Sequence, residues 1–434
     1  MLAIPLGGCA GGEAGVVDSG GGEAAVTEIA LAWGDLHAHT NLSHDGCEDP
    51  TAWCVPAGRY PGETVLAEAA AHGLDFVAIT DHAEYERYQR PAEGIDIDIW
   101  TSAAALVASS GGGPVLAILG YEHTATYSHR TVLLSSPDAC RDFRLQWDSP
   151  RAPKDEAGLE VYVEAGEHAQ YASAAALVAE LDRVASLPAC EGTRWLSFVH
   201  HPAYVTPADT RWHEPDTRAA TDTVVEIASE HGSSECAVLD GADEGCAWGI
   251  NEATWNAEGT VHAAFAAGER LGFVGGTDNH EASPGRLGEG PGHAGQFEDS
   301  DGDGNVDSAV LQFRGGAITG VFHAAGEFDT SALFDAIEAR RTVAASFKPT
   351  QLELRGWVGG TAYLPGDDVP PGDLSVDLVL EADGLERYEL DLVDPLEGST
   401  SSELSAGDVR YARVRAWIDG EEERIWASPW FATE

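Results

Sequence analysis

Residues 30–46 read ALAWGDLHAHTNLSHDG: an apolar run that ends in His37-Ala38-His39, with Asp45 shortly after it. Side chains at i and i+2 of a strand point to the same side. A strand ending here therefore presents two imidazoles to one point, and neutral imidazole is the commonest protein ligand for a metal ion. Asp45, in the loop beyond, is placed to fold back as an oxygen ligand. This reading sets the functional end of the first strand and asks whether later strands end in the same chemistry.

They do. Asp81-His82 closes the apolar run 76–80, and Glu122-His123 follows the run 115–121. His200-His201-Pro202 follows 196–199, and Asp278-Asn279-His280 follows 273–276 with the same i, i+2 geometry. Between the last two lies Val225-Glu226-Ile227, leading to His231 and Glu235. Strand-like runs at 30–36, 76–80, 115–121, 196–200, 224–228, 237–240 and 273–276 alternate with helical stretches at 63–72, 99–109, 171–185, 260–270 and 331–341. Such alternation indicates parallel βα units, and about seven strands favour a barrel over an open sheet. Barrel enzymes build their sites at strand carboxyl ends. Each cluster alone is an ordinary core or capping histidine; five in succession are not.

The texture changes after Pro349. Residues 350–434 alternate apolar and polar, as in LSVDLVL from Leu374 and RYARVRAWI from Arg410, with turns at Pro370-Pro371-Gly372 and Asp419-Gly420. This predicts a small antiparallel, sandwich-like β region following a barrel at 30–349. Residues 1–29, rich in Gly, Glu and Ala, read as a leader and flexible linker. Leu6-Gly7-Gly8-Cys9 resembles a lipobox, in which Cys9 would be lipidated. The expected location is thus that of an exported bacterial lipoprotein, periplasmic or on the outer surface, touching membrane through the anchor alone. Apart from Cys9 there are six cysteines, an even number, and sequence-local pairs are the simplest arrangement: Cys47–Cys54, Cys140–Cys190 and Cys236–Cys246.

The chain has 434 residues, with 24 Lys+Arg against 73 Asp+Glu, a formal charge of −49. Neutralising nucleic-acid phosphates needs clustered basic residues, so no nucleic-acid partner is expected. Docking on anionic lipid is disfavoured for the same reason. An anionic small molecule would be repelled at long range unless the site supplied local positive charge, as metal ions do.

The ordered motifs WGDLHAHTNLSHDG, AITDHAEY, GYEHT, HHPAY, VVEIASEHGSSE, GFVGGTDNHEASPG and ARRTVAAS resemble the PHP (polymerase and histidinol phosphatase) superfamily, and more narrowly its DUF3604 branch. The closing RYARVRAWIDGEEERIWASPWF is similar to that branch as well. The resemblance implies a distorted (β/α)7, TIM-like barrel carrying two or three divalent transition metals, Zn, Mn or Fe. It implies His37 and His39 on one metal, Glu122 bridging, and Asp45, His82 and His231 on the others. Asp278 and His280 close the set, and the His-Pro element falls on His201, with the adjacent His200 as the other candidate. Asp35 and Asp81 would orient neighbouring histidines. No ligand of the pattern is missing. Asp278, His231 and Arg286 are the candidates for direct parts in catalysis, and His129, Arg130, Arg286 and Lys348 for gripping phosphate oxygens.

Clustered metals acidify a bridging water and clamp attacking and leaving oxygens. The expected activity is therefore hydrolysis of a small phosphorylated substrate by a metal-activated hydroxide. The alternatives are a metal-dependent hydrolase of an amide, lactone or ester, and a surface-anchored, non-catalytic binding protein. Separately, Asp299, Asp301, Asp303, Asn305 and Asp307, inside an acidic insertion at 297–309, have the alternating spacing of an isolated calcium loop.

Overall fold

The structure, a computed structural model, describes residues 28–40, 43, 62–83, 85–90, 95–125, 127–138, 140–145, 161–164, 171, 173–204, 210–236, 256–279, 282–287 and 316–434. Strand β1 (Ile29–Ala38) carries the H-x-H run at its carboxyl end, as its alternation predicts. Helix α1 (Gly62–Ala71) leads to β2 (Phe76–Ile79), which lies parallel to β1. A side sheet of β3 (Tyr85–Arg90), β4 (Ile95–Asp98) and a later β7 (Val161–Glu164) flanks α2 (Ile99–Ser109). The Asp98 side chain starts α2 by accepting the Thr101 N–H at 2.8 Å, satisfying one of the donors a helix start leaves open.

Strand β5 (Leu116–Ala125) is parallel to β2, and β6 (Ser128–Leu134) turns back on it as a hairpin. Helix α3 (Ala174–Ala185) precedes β8 (Trp195–Val199), which pairs with β6 on one side and with β9 (Val224–Ser229) on the other. A two-residue β10 (Gly232–Ser233) folds onto β9. After α4 (Val261–Ala266), β11 (Gly272–Gly275) pairs parallel to β9. Strand β12 (Ile318–Ala324), α5 (Thr330–Glu338) and β13 (Thr342–Ala345) follow.

The expected closed barrel is corrected. Strand β12 runs antiparallel along the first half of β1, Ile29 to Gly34, and so takes the edge a closing strand needs. Among the described residues a single parallel bridge, Ala38 to Asn279, links the extension of β11 back to β1. The ladder instead continues outward through β12 and β13. Regular βα alternation also fails, because β5, β6 and β8 succeed one another antiparallel. The sheet nevertheless bends round a common core. Leu36, Phe76, Ile118, Leu133, Val274 and Val321 pack in one cluster with Leu333 and Phe334 of α5. The opposite face is covered by Val65, Trp100, Leu106 and Leu177 from α1, α2 and α3. Burial on both faces explains the near-continuous apolar strands.

The remaining strands are β14 (Gln351–Val358), β15 (Thr361–Tyr363), β16 (Asp368–Val369), β17 (Gly372–Glu381), β18 (Leu385–Asp394), β19 (Ser399–Thr400), β20 (Glu403–Leu404), β21 (Val409–Ile418), β22 (Glu421–Ala427) and β23 (Trp430–Ala432). Strands β15, β14, β17 and β20 form a separate antiparallel sheet. Strand β22 pairs with β13, so β22, β21 and β18 extend the main sheet. Cys140 and Cys190 form the expected disulfide, with Cα atoms 5.2 Å apart. Cys236 is disulfide-bonded as well. Cys47, Cys54 and Cys246, residues 1–27 of the expected leader with Cys9, and the strand expected at 237–240 lie outside the described residues. Among the described residues no helix is long and apolar enough to cross a membrane.

Candidate metal centre

The carboxyl ends of β1, β2, β5, β8, β9 and β11 meet. His37 Nε2 lies 3.2 Å from His39 Nε2, 3.5 Å from Glu122 Oε2 and 3.3 Å from Asp278 Oδ1. His39 Nε2 is 3.3 Å from each of the two carboxylate oxygens. Five of the six distances among these four atoms are thus 3.2–3.5 Å, and all four atoms lie within 4.8 Å of one another; a regular tetrahedron with edges of about 3.3 Å has its centre about 2.0 Å from each corner, the bond length of zinc to imidazole nitrogen or carboxylate oxygen. The donor chemistry fits as well. All four side chains are buried, and none of the four converging atoms belongs to a group that is cationic in its ordinary ligand form.

Both carboxylates also face outward from this tetrahedron. Glu122 turns Oε1 to His129 Nδ1 at 3.0 Å and His200 Nε2 at 3.2 Å, and His82 Nδ1 stands 3.5 Å from its Oε2. Asp278 turns Oδ2 to His231 Nε2 at 3.1 Å. Two further groups, His129–His200–His201 and His201–His231–Asp278, thus bring ligand atoms together beside the first. Carboxylates split between adjacent donor sets are what a cluster of two or three ions needs.

Surrounding groups fix these side chains. His37 donates Nδ1–H to Glu226 Oε2 at 3.0 Å, which turns Nε2 to the centre, where a metal ion would take the place of the second ring proton. Glu226 Oε1 accepts the His201 backbone N–H at 3.1 Å, so one buried carboxylate holds two ligand segments. Gly276 makes this possible: a Cβ there would stand 2.4 Å from His37 Cβ and 2.6 Å from Glu226 Oε2. His39 Nδ1 pairs with Ser43 Oγ at 2.9 Å. The Tyr204 ring stacks on His231 at 4.3 Å between centroids, with planes 21° apart. His201 and Asp278 hold φ of 30° and 53°, strained for residues with a Cβ. Such strain persists where surrounding structure over-determines it, commonly at functional sites.

The electrostatics separate the histidines. Burial alone would lower His37, but Asp278 and Glu226 outweigh it and hold that imidazole well above the ordinary histidine range. Burial pushes His200 down to about 3, and His201 also falls well below the usual range, through burial and then repulsion from its neighbours His200, His231 and His129. Both therefore stay neutral, the form that binds metal. Burial opposes ionisation of Glu122 and Asp278, yet the surrounding imidazoles keep both carboxyls well below the usual carboxylate range.

The structure brings together His37, His39, His82, Glu122, His200, His201, His231 and Asp278. Asp45, His280 and the acidic loop Asp299–Asp307 lie outside the described residues. Asp35 and Asp81 bind backbone rather than imidazole rings. Asp35 accepts the N–H groups of His37, Thr277 and Gly285, each at 3.0 Å, tying β1 to the segment after β11. Asp81 accepts Thr40 N–H at 2.6 Å and Thr40 Oγ1–H at 2.8 Å. Of the proposed phosphate grips, His129 joins the centre. Arg130 does not: it is buried against Asp222, with Nε donating to Ser197 Oγ at 3.1 Å. Lys348 donates to the Gly73 carbonyl instead. Arg286 sits half-buried on the turn that Gly285 fastens to Asp35. Glu226, outside the expected ligand set, had one signal: a carboxylate inside the apolar run VVEIA must be satisfied if that strand is buried.

No curated protein and no solved structure matches the chain. Residues 27–107, which carry His37, His39, Asp81 and His82, match the family model described as "Protein of unknown function (DUF3604)".

Proposed function

We propose that the chain is a metal-dependent hydrolase of the PHP type and that its reaction is phosphoester hydrolysis. The observation that carries this reading is the convergence of four buried donor atoms from His37, His39, Glu122 and Asp278, whose two carboxylates each turn a second oxygen to further histidines. Mixed imidazole and carboxylate donors suit Zn, Mn or Fe better than Mg or Ca. Divalent ions held there would supply an acidified water at neutral pH and a positive field for charge developing on a phosphoryl group.

The protein's own part is to bind and orient. Glu226 sets the tautomer of His37, Asp35 and Asp81 hold the backbone of the H-x-H segment, and Tyr204 fixes the plane of His231. Arg130 and Lys348 are tied elsewhere, so among the described residues they contribute nothing to gripping a phosphoryl group. Export fits the Cys140–Cys190 disulfide, since such bonds persist in oxidising compartments.

The test is elemental analysis of the purified chain, with hydrolysis of aryl phosphate mono- and diesters beside an aryl carboxylic ester, an amide and a lactone. Two to three transition ions per chain are expected, with phosphoester turnover that His37→Ala and Asp278→Asn abolish. Turnover of carbonyl substrates alone would move the reaction to carbonyl hydrolysis. Absence of bound transition metal after reconstitution would overturn the whole reading.

A further inference from the structure

Behind the centre lies a second buried polar cluster in which Glu235, fully buried, is the hub. Its Oε1 accepts Tyr411 O–H at 2.5 Å and Arg413 N–H at 3.1 Å. Its Oε2 accepts Trp426 Nε1–H at 2.8 Å, with an Arg424 nitrogen at 3.8 Å. His262 Nε2 lies 2.9 Å from the same Tyr411 hydroxyl. All four partners of the carboxylate belong to β21 and β22, far along the chain.

Glu235 also ends the short segment that begins with His231. Within it, Ser234 accepts the Ala203 N–H on Oγ at 3.2 Å, which ties in the loop carrying His200, His201 and Tyr204. Ser234 N–H donates to the Ile227 carbonyl at 2.6 Å, and the Ser234 and Glu235 carbonyls accept from Val261 at 2.8 Å and His262 at 3.1 Å. The next residue, Cys236, is disulfide-bonded.

Hydrophobic side chains of similar volume would stabilise such a core as well or better, because burying a carboxylate and two guanidinium groups is costly. What the ionic cluster adds is direction. Three hydrogen-bond donors and a nearby guanidinium converging on one carboxylate fix the segment in position, and metal ligands tolerate displacements of only about 0.2 Å.

We propose that Glu235 is a positioning residue through which β21 and β22 hold His231, and with it the His200–Tyr204 loop, in ligand geometry. The C-terminal strands are then part of the scaffold of the centre. The metal-binding half of this inference rests on the function proposed above.

The test uses the full chain with Glu235→Gln, Tyr411→Phe and, as a control for lost stability alone, Leu374→Ala in β17. The first readout needs no metal: the imidazole resonances of His231, which Tyr204 shifts through its ring current. The second is titration with Co²⁺. Glu235→Gln and Tyr411→Phe are expected to move the His231 resonances toward unstacked values. Both should weaken one class of Co²⁺ sites about 10–100-fold, the effect expected when an outer partner of a ligand is lost. The sites formed by His37 and His39 should keep their affinity, and Leu374→Ala should change neither readout. Unshifted His231 resonances in folded variants would overturn the proposal, as would equal weakening by Leu374→Ala. If Glu235→Gln does not fold, Tyr411→Phe decides alone, since it keeps its ring packed on Phe273. If the unmodified chain binds no Co²⁺, the hydrolase reading falls, and the His231 resonances still decide the role of Glu235.

Discussion

Replacing Glu226 with Gln isolates the step that turns a buried histidine into a ligand. Glu226 uses both oxygens as acceptors, one for His37 Nδ1–H at 3.0 Å and one for His201 N–H at 3.1 Å. Gln offers one oxygen and one NH2 group, so one donor must face another donor across a buried contact. A buried group stranded in this way costs about 1–3 kcal/mol. Either His37 loses the partner that holds its Nε2 toward the centre, or His201 loses its backbone anchor. Loss of an outer-shell partner weakens metal binding about 10–100-fold, or about 1.4–2.7 kcal/mol. The assay is competitive titration of Zn²⁺ against a chromogenic chelator, with Gly276→Ala as a second way to disturb the same contact. Unchanged Zn²⁺ affinity in a folded Glu226→Gln variant, with His37→Ala abolishing binding, would refute the argument that Glu226 sets the ligand state of His37.

Arg130→Met should cost about 3–5 kcal/mol by leaving Asp222 buried and unpaired. Chemical denaturation measures this, and KM per folded molecule should not change, since the guanidinium faces Asp222 rather than the centre. Asp98 gives a pH test. Burial would raise its carboxyl, but the Thr101 backbone N–H and Arg141 outweigh this and hold it below its ordinary value. A depressed folded pKa gives stability that is present above the unfolded value and lost as pH falls through the folded one. Asp98→Ala should therefore cost about 1 kcal/mol at neutral pH and less at about pH 3, read as a difference in thermal midpoint.

Much of the centre was legible because strands have a two-residue period. The H-x-H run predicts both imidazoles on one face, and the carboxyl ends of β2, β5, β8 and β11 carry candidate ligands where apolar runs stop. What sequence reading missed follows from unread antiparallel strands. Strand β6 returns from β5 without an Asn-Gly or similar turn signal, so His129 and Arg130 looked equivalent. As neighbours on a strand they point to opposite faces, one into the centre and one to Asp222. Strand β12 contains Gly320, where a Cβ would meet Val343 and Trp33 at 2.9–3.0 Å. Glycine weakens a strand signal, and this unrecognised strand is the one that keeps the barrel open. The His200-His201 ambiguity dissolves for a different reason. The positive φ of His201 breaks the alternation, and the two rings end 4.1 Å apart in the same centre.

Electrostatics separates a phosphoester from a neutral carbonyl substrate. The chain carries −49, a field that repels anions at a distance. At the centre the carboxyls of Glu122 and Asp278 are held well below the usual range while burial raises that of Glu226, His200 and His201 are neutral, and a metal ion on His37 would replace the proton that ring otherwise holds, which leaves at most three negative charges. Two divalent ions would outweigh these carboxylates by at least one charge, so attraction is local while repulsion is long-range. Salt screens the long-range part first: the Debye length falls from about 30 Å at 0.01 M to about 8 Å at 0.15 M. For an anionic phosphodiester, kcat/KM should therefore rise with ionic strength over this range, whereas a neutral aryl ester should show no trend. The measurement is a salt series with a non-coordinating anion at constant metal loading. A phosphodiester rate that falls with salt would mean that positive charge reaches well beyond the centre. The balance argued here, in which metal ions supply the local attraction against an acidic surface, would then be wrong.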